Sequence, residues 1–490
     1  MAREAGGRRM STRGAAALVF ATSAAVLVLE ILAGRLVAPY VGVSIETFTG
    51  VIGTVLAGIA VGAAAGGRLA DRRPPQLLVG PAVVAGGVLA LVSLPVVSML
   101  GPAVAGGGPL AIVVLGAAAF FAPSAVLSAV SPMAAKLRLN SVAETGAVVG
   151  GLSGAGTAGA LFGTFLTGFV FVVAVPTRTL VIVLGVALVL AGAALWWRLA
   201  GPRPPGAVVA AVLVAAGGAW LSPSPCEVHT AYYCAQVLDD PNRSSGRVLV
   251  LDNLRHSYVD LADPTYLEFR YVRLFADVVD AELPAPRPVD ALHVGGGGFT
   301  FPRYLGVTRP GSTSLVLELD PGLVELAADQ LGLRIGPRMR VEVGDARTSL
   351  AGLPSDAFDV VAGDAFGGLS VPWHLATVEV AEELKRVLRP DGIYVANVID
   401  GGPNRLVRAE TATLREVFDQ VAVVAPPAGT GDAPANFVLV ASQAPLALGA
   451  ADIDPGDGEV LTGADVAAFV AGARPLTDDF APADQLLTRR

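Results

Sequence analysis

The sequence predicts a multi-span α-helical membrane region followed by an α/β domain that has a doubly wound, Rossmann-like sheet and a small N-terminal β layer. The chain has 490 residues, of which 53% are hydrophobic and 16% charged, so it is more apolar than an ordinary soluble enzyme. Residues 1–222 contain 13 Lys and Arg against 5 Asp and Glu, whereas the remaining residues contain 21 against 37. From Arg247 onward, short apolar strands alternate with amphipathic helices. The acidic second part argues against nucleic acid as a partner, because nucleic acid requires basic surfaces.

Residues 1–222 are predicted to form a transmembrane domain of about seven helices in the lipid bilayer of a cell membrane. A spanning helix needs about 20 mostly apolar residues, and the candidates are the stretches 15–34, 47–67, 77–99, 108–130, 147–173, 178–197 and 205–221. The last stretch is short and begins at Pro205, so six crossings are the alternative. The fifth carries glycines at small-xxx-small spacing, which suits close helix packing but also fits a glycine-rich chain; these are Gly150, Gly154, Gly159 and Gly163.

The basic residues predict the orientation, because short cytoplasmic segments carry an excess of Lys and Arg. With the N-terminus inside, the inner segments carry 11 basic residues and the outer segments carry two, Arg35 and Arg178. Seven crossings then place residues 223–490 outside, and six crossings place them inside.

The chain has two cysteines, Cys226 and Cys234, just after the last apolar stretch. Along a single strand their spacing is about 26 Å, too far for a disulfide. A fold-back at residues 228–230 would bring them together, and an oxidising compartment would favour the bond. The alternative is a pair of buried thiols in a cytosolic domain. The spacing is not that of a metal site, and no metal is expected.

The residues after the membrane region are predicted to form a small β domain with a linking helix at 223–285, a Rossmann-like nucleoside-binding domain at 286–445 and a C-terminal extension at 446–490. The supporting strands are RVLVLDN, HSYVDL, ALHV, SLVLEL, RVEV, FDVVAG and IYVANVI, and the supporting helices include YLEFRYVRLFADVVD and VEVAEELKRVL. Strands that alternate with helices are typical of a doubly wound sheet.

Polar residues follow the ends of successive predicted strands. The glycine run Gly295–Gly298 follows the first strand of the Rossmann-like part, and Glu318, Asp345 and Asp364 follow the next three. Ligands bind at this edge of an open α/β sheet. An acidic residue about 20 positions after a glycine-rich turn is typical of a ribose-binding group. Each carboxylate alone is more often a helix cap or turn residue, but four such positions on one edge favour a nucleoside site.

With these residues assembled, the second half of the chain resembles the spermidine synthase (polyamine aminopropyltransferase) family. The likeness runs from about residue 230 to residue 440. The motifs LEILAGRLVAPYVG, GGRLADR and PLTDDFAPADQLL resemble a bacterial branch that fuses such a domain to a multi-span membrane region. The fold implied is a small β domain followed by a class I methyltransferase-like domain, and a homodimer is a possible assembly.

The resemblance implies roles for individual residues of the nucleoside site. Gly295, Gly296 and Gly297 stand where the family has its glycine loop. Glu318 in LELD matches the glutamate that binds the ribose, and Asp345 with Ala346 in GDA matches the pair that contacts adenine.

Three further residues are placed by the same resemblance. Asp364 in AGDAFGGLSVP matches the aspartate that acts as general base on the amine nucleophile. Pro372 resembles a proline that lines the adenine pocket, displaced by one residue, and Tyr233 stands where the family uses glutamine.

The sequence departs from the family pattern at two carboxylates. Gly298 replaces the aspartate of the glycine loop, and Gly367 replaces a second aspartate after Asp364. In the family those carboxylates hold the cationic donor and the diamine, so the diamine half of the site looks eroded here. Aromatic rings can also hold a cation, which makes His256 and Tyr266 candidate substrate residues, although packing in the β layer is the alternative.

His374 follows the Asp364 loop and is a further candidate, either as an acid or base near neutral pH or as a loop-capping residue.

The activity that the family resemblance implies is transfer of an aminopropyl group from decarboxylated S-adenosylmethionine to a small-molecule amine such as putrescine. Methyl transfer from S-adenosylmethionine, and a non-catalytic transport or sensing protein that binds a nucleoside or polyamine, are the alternatives.

Overall fold

The structure is a computed structural model that describes residues 10–105, 107–139, 145–200, 205–366, 371–427, 433–449 and 452–487. The chain divides into two compact units, Met1–Cys234 and Ala235–Arg490. The predicted boundaries at residues 222, 285 and 445 stay predictions.

The first unit is helical, as the sequence predicts. In the described residues, six helices are long and apolar enough to cross a membrane: α1 (Thr12–Val41), α2 (Ile45–Arg72), α3 (Pro75–Val104), α4 (Pro109–Arg138), α5 (Thr145–Ala174) and α6 (Thr177–Ala200). The seventh predicted span forms the shorter helix α7 (Gly206–Leu221). Its 16 residues extend about 24 Å at the rise of an α-helix, somewhat less than the hydrocarbon thickness of a bilayer.

Glycines allow these helices to approach each other at backbone distance. A Cβ added at Gly62 of α2 would overlap the carbonyl oxygen of Ala125 in α4, and one added at Gly66 would lie 2.5 Å from the carbonyl oxygen of Ala129. In contrast, nothing lies within 4 Å of a Cβ at Gly53. The contact between α2 and α4 therefore depends on the absence of a side chain at selected positions.

Of the four glycines predicted to form a packing stripe on α5, two lie against α1 and two face open space. A Cβ at Gly159 would overlap the Phe20 carbonyl of α1, and a Cβ at Gly163 would lie 2.6 Å from the Ala24 carbonyl oxygen. Nothing lies within 4 Å of a Cβ at Gly150 or Gly154. Only the second half of the stripe packs against the described residues.

The segment after α7 folds back on itself. Cys226 and Cys234 form a disulfide, which confirms that pairing, and the short strand β1 (Val228–His229) lies between them. Two arginines hold the end of α7 and the segment after it. Arg35 of α1 donates to the carbonyl oxygens of Thr230 and Ala231, and Arg178 of α6 donates to that of Ala219 in α7 at 2.9 Å. The end of α7 therefore lies at the same end of the helix bundle as Arg35 and Arg178.

The second unit begins with a small antiparallel sheet. Its strands are β2 (Cys234–Asp240), β3 (Arg243–Leu251) and β4 (Leu254–Asp260), with β1 at the edge. A linking helix, α8 (Arg270–Glu282), follows. This is the small β layer that the sequence predicts.

The large sheet has eight strands in the order β12-β10-β11-β9-β8-β5-β6-β7. Strands β5 to β9 pair in parallel, and β10, β11 and β12 add antiparallel pairs at one edge. The strands are β5 (Asp290–Val294), β6 (Thr313–Glu318), β7 (Met339–Val343), β8 (Phe358–Gly363), β9 (Leu388–Asp400), β10 (Gln420–Ala425), β11 (Ala435–Ser442) and β12 (Glu459–Leu461). The predicted Rossmann-like fold is confirmed.

Helices cover both faces of this sheet. They are α9 (Thr300–Thr308), α10 (Pro321–Gln330), α11 (Ala346–Leu350), α12 (Val378–Val387), α13 (Arg405–Val417), α14 (Gly463–Phe469) and α15 (Ala483–Leu486). Val360 and Ala362 of β8 pack in one core with α8, whereas Val361 packs in the other core with α12. Because successive strand residues face opposite sides, a strand covered on both faces is apolar throughout. Strand β12 lies in the predicted C-terminal extension but pairs with β10, so that extension contributes to the same sheet.

Candidate active site

The residues predicted for the nucleoside site lie at one edge of the large sheet, because β8, β5, β6 and β7 are adjacent and parallel. The hydrogen bonds of the sheet continue past the strands into the loops. Asp364 N–H donates to the Val294 carbonyl, Gly295 N–H to the Leu317 carbonyl, and Gly344 N–H to the Glu318 carbonyl, each at 2.9 Å. These bonds fix the starts of the three loops relative to one another.

The glycine loop between β5 and α9 makes a tight turn. Gly295 and Gly297 have φ of 98° and 49°, a region that favours glycine. A Cβ at Gly295 would overlap the carbonyl oxygen of Asp364, and one at Gly296 would lie 3.0 Å from Glu318 Oε2. The loop thus passes close to both carboxylate positions, and larger residues would not fit.

Glu318 holds the glycine loop with its carboxylate. Oε2 accepts from Gly296 N–H at 2.8 Å, and Oε1 accepts from Asp320 N–H at 2.9 Å. Burial raises the pKa of Glu318, while the N–H groups of Asp320 and Gly296 act in the opposite direction. The side chain is 6% exposed, so its ionised form depends on these donors.

Asp345 caps the short helix α11 and contacts the segment that carries Pro372. Its Oδ1 accepts from Arg347 N–H at 2.8 Å, and Oδ2 lies 3.3 Å from His374 Nε2. Ala346 follows as the first helical residue and is buried. Pro372 precedes the helical turn Trp373–Leu375. His374 therefore lies on the Asp345 side of the site.

Arg347 joins this turn to the C-terminal motif PLTDDF. Its guanidinium donates to Asp478 Oδ2 at 2.6 Å and to Thr377 Oγ1 at 3.0 Å. Asp478 also accepts from the Thr377 hydroxyl at 2.8 Å. Asp478 therefore supports the Asp345 turn through Arg347 and Thr377.

Asp364 lies one residue after β8 and is held by two neutral donors. Tyr271 of α8 donates its hydroxyl to Oδ2 at 2.8 Å, and Asn397 of β9 donates Nδ2 to Oδ1 at 3.0 Å. Asn436 of β11 in turn donates to Asn397 Oδ1 at 2.9 Å, which fixes the orientation of that amide. Burial raises the pKa of Asp364 to about 6, although the bonds from Asn397 and Tyr271 act in the opposite direction.

Two cavities lie on either side of this strand end. The first, here called the aromatic cavity, encloses about 510 Å³, part of it open to solvent. It is lined by Ser257, Tyr258, Glu268, Phe269, Tyr271, Val272, Phe275, His293, Gly295, Gly296, Thr300, Phe301, Pro302, Ala362 and Asp364. A cavity with a carboxylate at one side and aromatic walls suits an apolar chain that carries a cation.

The second cavity encloses about 410 Å³ and is mainly apolar. Its wall includes Leu350 of the helix that Asp345 caps, together with Val371 and Leu375 on either side of Pro372 and His374. These are neighbours of the residues predicted for adenine, so this cavity lies on the side that is predicted to bind the nucleoside. Glu410 of α13 also lines it, 7% exposed.

Gly298 is buried under the β layer, which explains why no carboxylate can stand there. Its N–H donates to Ser257 Oγ at 2.9 Å. A Cβ at Gly298 would lie 2.8 Å from Ser257 Cβ and 3.0 Å from Val259 Cγ2. Strand β4 occupies the space that an acidic side chain would need. Gly367 lies outside the described residues.

Three further residues predicted for the site lie at different distances from the glycine loop and the aromatic cavity. His256 lies beside the glycine loop, since a Cβ at Gly297 would be 3.7 Å from its Nδ1, and burial lowers the pKa of His256 to about 4. Tyr266 donates its hydroxyl to Glu268 Oε2 at 2.6 Å and is not among the lining residues of the aromatic cavity. Tyr233 belongs to the first unit, where its N–H donates to Thr230 Oγ1 at 2.8 Å. The roles of these three residues stay predictions.

Sequence reasoning missed three contributors to the site: Tyr271, Asn397 and Glu268. Tyr271 and Glu268 belong to a stretch whose helical periodicity indicates a core-facing helix. Asn397 is the polar residue within the apolar strand IYVANVI, and a lone amide in a buried strand is a signal for a specific partner.

These features define the second unit as a Rossmann-like α/β domain with polar groups gathered at the edge of the sheet where ligands bind. No family model matches the chain. It is 34% identical over 154 residues to the polyamine aminopropyltransferase of Vibrio vulnificus, which covers 31% of this chain and 50% of the relative. The matched part of the second half is thus similar in sequence to a polyamine aminopropyltransferase, the class whose motifs it resembles.

The chain is also similar to a methyltransferase and to a probable spermidine synthase of known structure. The eEF1A lysine and N-terminal methyltransferase of Danio rerio is 30% identical over 158 residues, which is 30% of this chain and 22% of the relative. A solved structure, a probable spermidine synthase from Corynebacterium glutamicum, is 28% identical, with a TM-score of 0.48 over 52% of this chain and 97% of that one. The chain therefore spans half the length of the first curated relative and about a fifth of the second.

Proposed function

We propose that the second unit transfers an aminopropyl group from decarboxylated S-adenosylmethionine to a small-molecule amine. The observation that carries this proposal is Asp364, a carboxylate that two neutral donors hold at the wall of the aromatic cavity, beside the glycine loop. The homology to polyamine aminopropyltransferases supports the same reaction. Putrescine is the amine of this class that the resemblance suggests.

The nucleoside would occupy the edge formed by the glycine loop, Glu318 and Asp345. Glu318 is positioned to accept from the ribose hydroxyls, and the apolar cavity beside Asp345 and Pro372 suits adenine. Because Glu318 also binds Gly296 N–H, ribose binding and loop position depend on the same carboxylate.

The chemical step needs a neutral amine. Asp364 accepts a proton from the acceptor ammonium, and the freed lone pair attacks the methylene carbon next to the sulfonium. A carbon–nitrogen bond forms, the carbon–sulfur bond breaks, and the electron pair leaves on sulfur as a neutral thioether. The protein contributes alignment of the two reactants and a base whose pKa lies near the working pH.

A second candidate is methyl transfer from S-adenosylmethionine. Gly298 lies against Ser257 and Val259, so the loop has no carboxylate for the ammonium of a decarboxylated donor. The methyltransferases among the relatives support this alternative.

A third candidate is a domain that binds a nucleoside or polyamine without turnover. A location of the second unit outside the cell would favour this candidate.

The test supplies the full-length protein with each donor and an amine, and identifies the nucleoside product. Aminopropyl transfer releases methylthioadenosine, whereas methyl transfer releases S-adenosylhomocysteine. Asp364→Asn should reduce turnover at least about a hundredfold while nucleoside affinity stays within a factor of a few. Unchanged turnover in Asp364→Asn would exclude Asp364 as the base, and binding without any product would favour the non-catalytic candidate.

The location of the chain is also a proposal. We infer a multi-pass membrane protein in which α7 crosses the bilayer despite its length. The contacts of Arg35 with the segment after α7 and of Arg178 with the end of α7 support seven crossings, because these arginines lie at the end of the bundle with few basic residues. The second unit would then lie opposite the basic, inner side.

A further inference from the structure

The aromatic cavity contains a second carboxylate that the sequence comparison does not assign. Glu268 lines it together with Asp364, and these two are its acidic side chains in the described part of the chain. The two carboxylates that the family resemblance would lead one to expect are glycines here, at positions 298 and 367. An acceptor with two ammonium groups would therefore lack a counter-ion for one of them unless Glu268 supplies it.

Glu268 is partly buried at the wall of the aromatic cavity. Tyr266 donates to Oε2 at 2.6 Å. Arg273 of the following helix α8 donates Nη1 to the Glu268 backbone carbonyl at 2.9 Å. Its Nη2 and Nε donate to Asp457 at 2.8 and 3.4 Å. Arg273 thus forms its ion pair with Asp457, and the Glu268 carboxylate forms no side-chain ion pair with the described residues.

The wall between the two carboxylates is aromatic. Tyr271 and Phe275 meet edge to face with ring centroids 5.8 Å apart, and Phe275 meets Phe301 in the same manner at 5.4 Å. Phe269 completes this wall next to Glu268. Methylene groups pack favourably on such rings, whereas an unpaired ammonium among them would pay a large desolvation cost.

We propose that Glu268 binds the distal ammonium of the acceptor, so that it determines a preference for diamines over monoamines. The reacting amine lies at Asp364, the methylene chain lies along the aromatic wall, and the far cation pairs with Glu268. This inference rests on the proposed function for the identity of the acceptor as an amine. It adds to that proposal a binding residue for the second cation, in the segment that precedes α8.

The test measures binding and does not require turnover. Radiolabelled 1,4-diaminobutane and 1-aminobutane are equilibrated with the full-length protein in the presence of methylthioadenosine. Wild type should bind the diamine at least about tenfold more tightly than the monoamine, as expected for one charge-assisted contact. Glu268→Gln should remove this preference, while the amide oxygen still accepts from Tyr266 and so preserves the local structure.

The matched control is Glu325→Gln, which removes the same charge from an exposed position on α10. It should leave the preference unchanged. A preference that persists in Glu268→Gln, or a wild type that binds both amines equally, overturns the assignment of Glu268. Turnover measured in parallel separates the two proposals: a Glu268-dependent preference without turnover contradicts only the proposed reaction.

Discussion

At the scale of single residues, the properties of Asp364 follow from what surrounds it. Its two oxygens accept from Tyr271 and Asn397, both neutral, and no cation pairs with it in the described part of the chain. Burial without a cation raises the pKa of a carboxyl, here to about 6. A base with such a pKa is ionised at neutral pH yet binds a proton more readily than an exposed aspartate.

The pH profile of turnover should show this. Because the base acts in its ionised form, kcat should fall about tenfold per pH unit below about pH 6. Tyr271→Phe removes a hydrogen bond that lowers the pKa of Asp364, so the acidic limb should shift to higher pH. Measurement of kcat from pH 5 to 8 for both proteins checks this, and a shift to lower pH would contradict it.

Burial also raises the pKa of a second carboxyl, Glu410, and there the consequence concerns the stability of the folded state. Burial first, and the charge of Asp400 second, raise the pKa of Glu410 to about 8, far above the value of 4.5 for an exposed glutamate. A carboxyl whose folded pKa is raised destabilises the folded state increasingly as pH rises from the unfolded to the folded value. One carboxylate oxygen, Oε1, has no hydrogen-bond partner in the described residues.

Glu410→Gln should therefore stabilise the protein at pH 8 but not at pH 5. Each kcal/mol of stabilisation should raise Tm by roughly 2–4 °C. The Tm of the wild type should fall between pH 5 and pH 8 relative to that of the variant. Thermal unfolding of the full-length protein at both pH values tests it. A variant with equal Tm differences at the two values would show that Glu410 does not titrate as described.

At the scale of helices and strands, the local sequence pattern was sufficient to predict most elements of the large sheet. The strands of the sheet are visible as apolar runs, and the polar residues that end them mark the edge of the sheet. Helix α8 begins at Arg270, later than the periodicity suggested, because Phe269 is extended with ψ of 131°. Thr300 is the first residue of α9, and its hydroxyl donates to the Tyr258 carbonyl of β4 at 2.8 Å.

What the sequence could not show is which distant elements complete the site. Tyr271 lies 93 residues before Asp364 and Asn397 lies 33 residues after it. Their meeting depends on the packing of α8 and β9 against β8, which no local pattern specifies. Likewise, the antiparallel partners β10 to β12 join the sheet through long-range pairing, so no local pattern shows that β12 of the predicted C-terminal extension pairs with β10.

Helix packing in the first unit gives a prediction at the same scale. Gly62→Ala places a Cβ on the Ala125 carbonyl, so α2 and α4 must separate, at a cost of roughly 1–3 kcal/mol for overpacking. Gly53→Ala lies on the same helix with nothing within 4 Å and should be neutral. Thermal unfolding in one detergent compares the two variants. Equal Tm values would mean that this contact does not stabilise the bundle.

At the scale of the whole molecule, the proposed membrane location makes the side on which the second unit lies decisive for the molecules that this unit meets. Seven crossings place it opposite the side that carries most basic residues, and the disulfide between Cys226 and Cys234 is typical of an oxidising compartment. S-adenosyl donors are made in the cytoplasm, so this placement requires a supply of donor on the other side.

Thiol labelling of intact cells measures this side directly. A membrane-impermeant thiol reagent should label Cys226 and Cys234 only after reduction, because they are the two cysteines of the chain and are paired. A variant with both cysteines changed to serine gives the background. Labelling that appears only when the cells are opened would place the second unit in the cytoplasm with the donor, and would contradict seven crossings.

The two donors that hold Asp364 also restrict where a captured proton can go. Asn397 and Asn436 are amides that do not take up protons at physiological pH, and burial raises the pKa of Tyr271 well above its usual value. No inward relay therefore begins at this carboxylate in the described residues. A proton received from an acceptor has to leave through the aromatic cavity, along the path by which the product departs. Deprotonation of the enzyme and product release would then be successive events in one channel, and turnover should slow in deuterated water even when bond formation itself is fast.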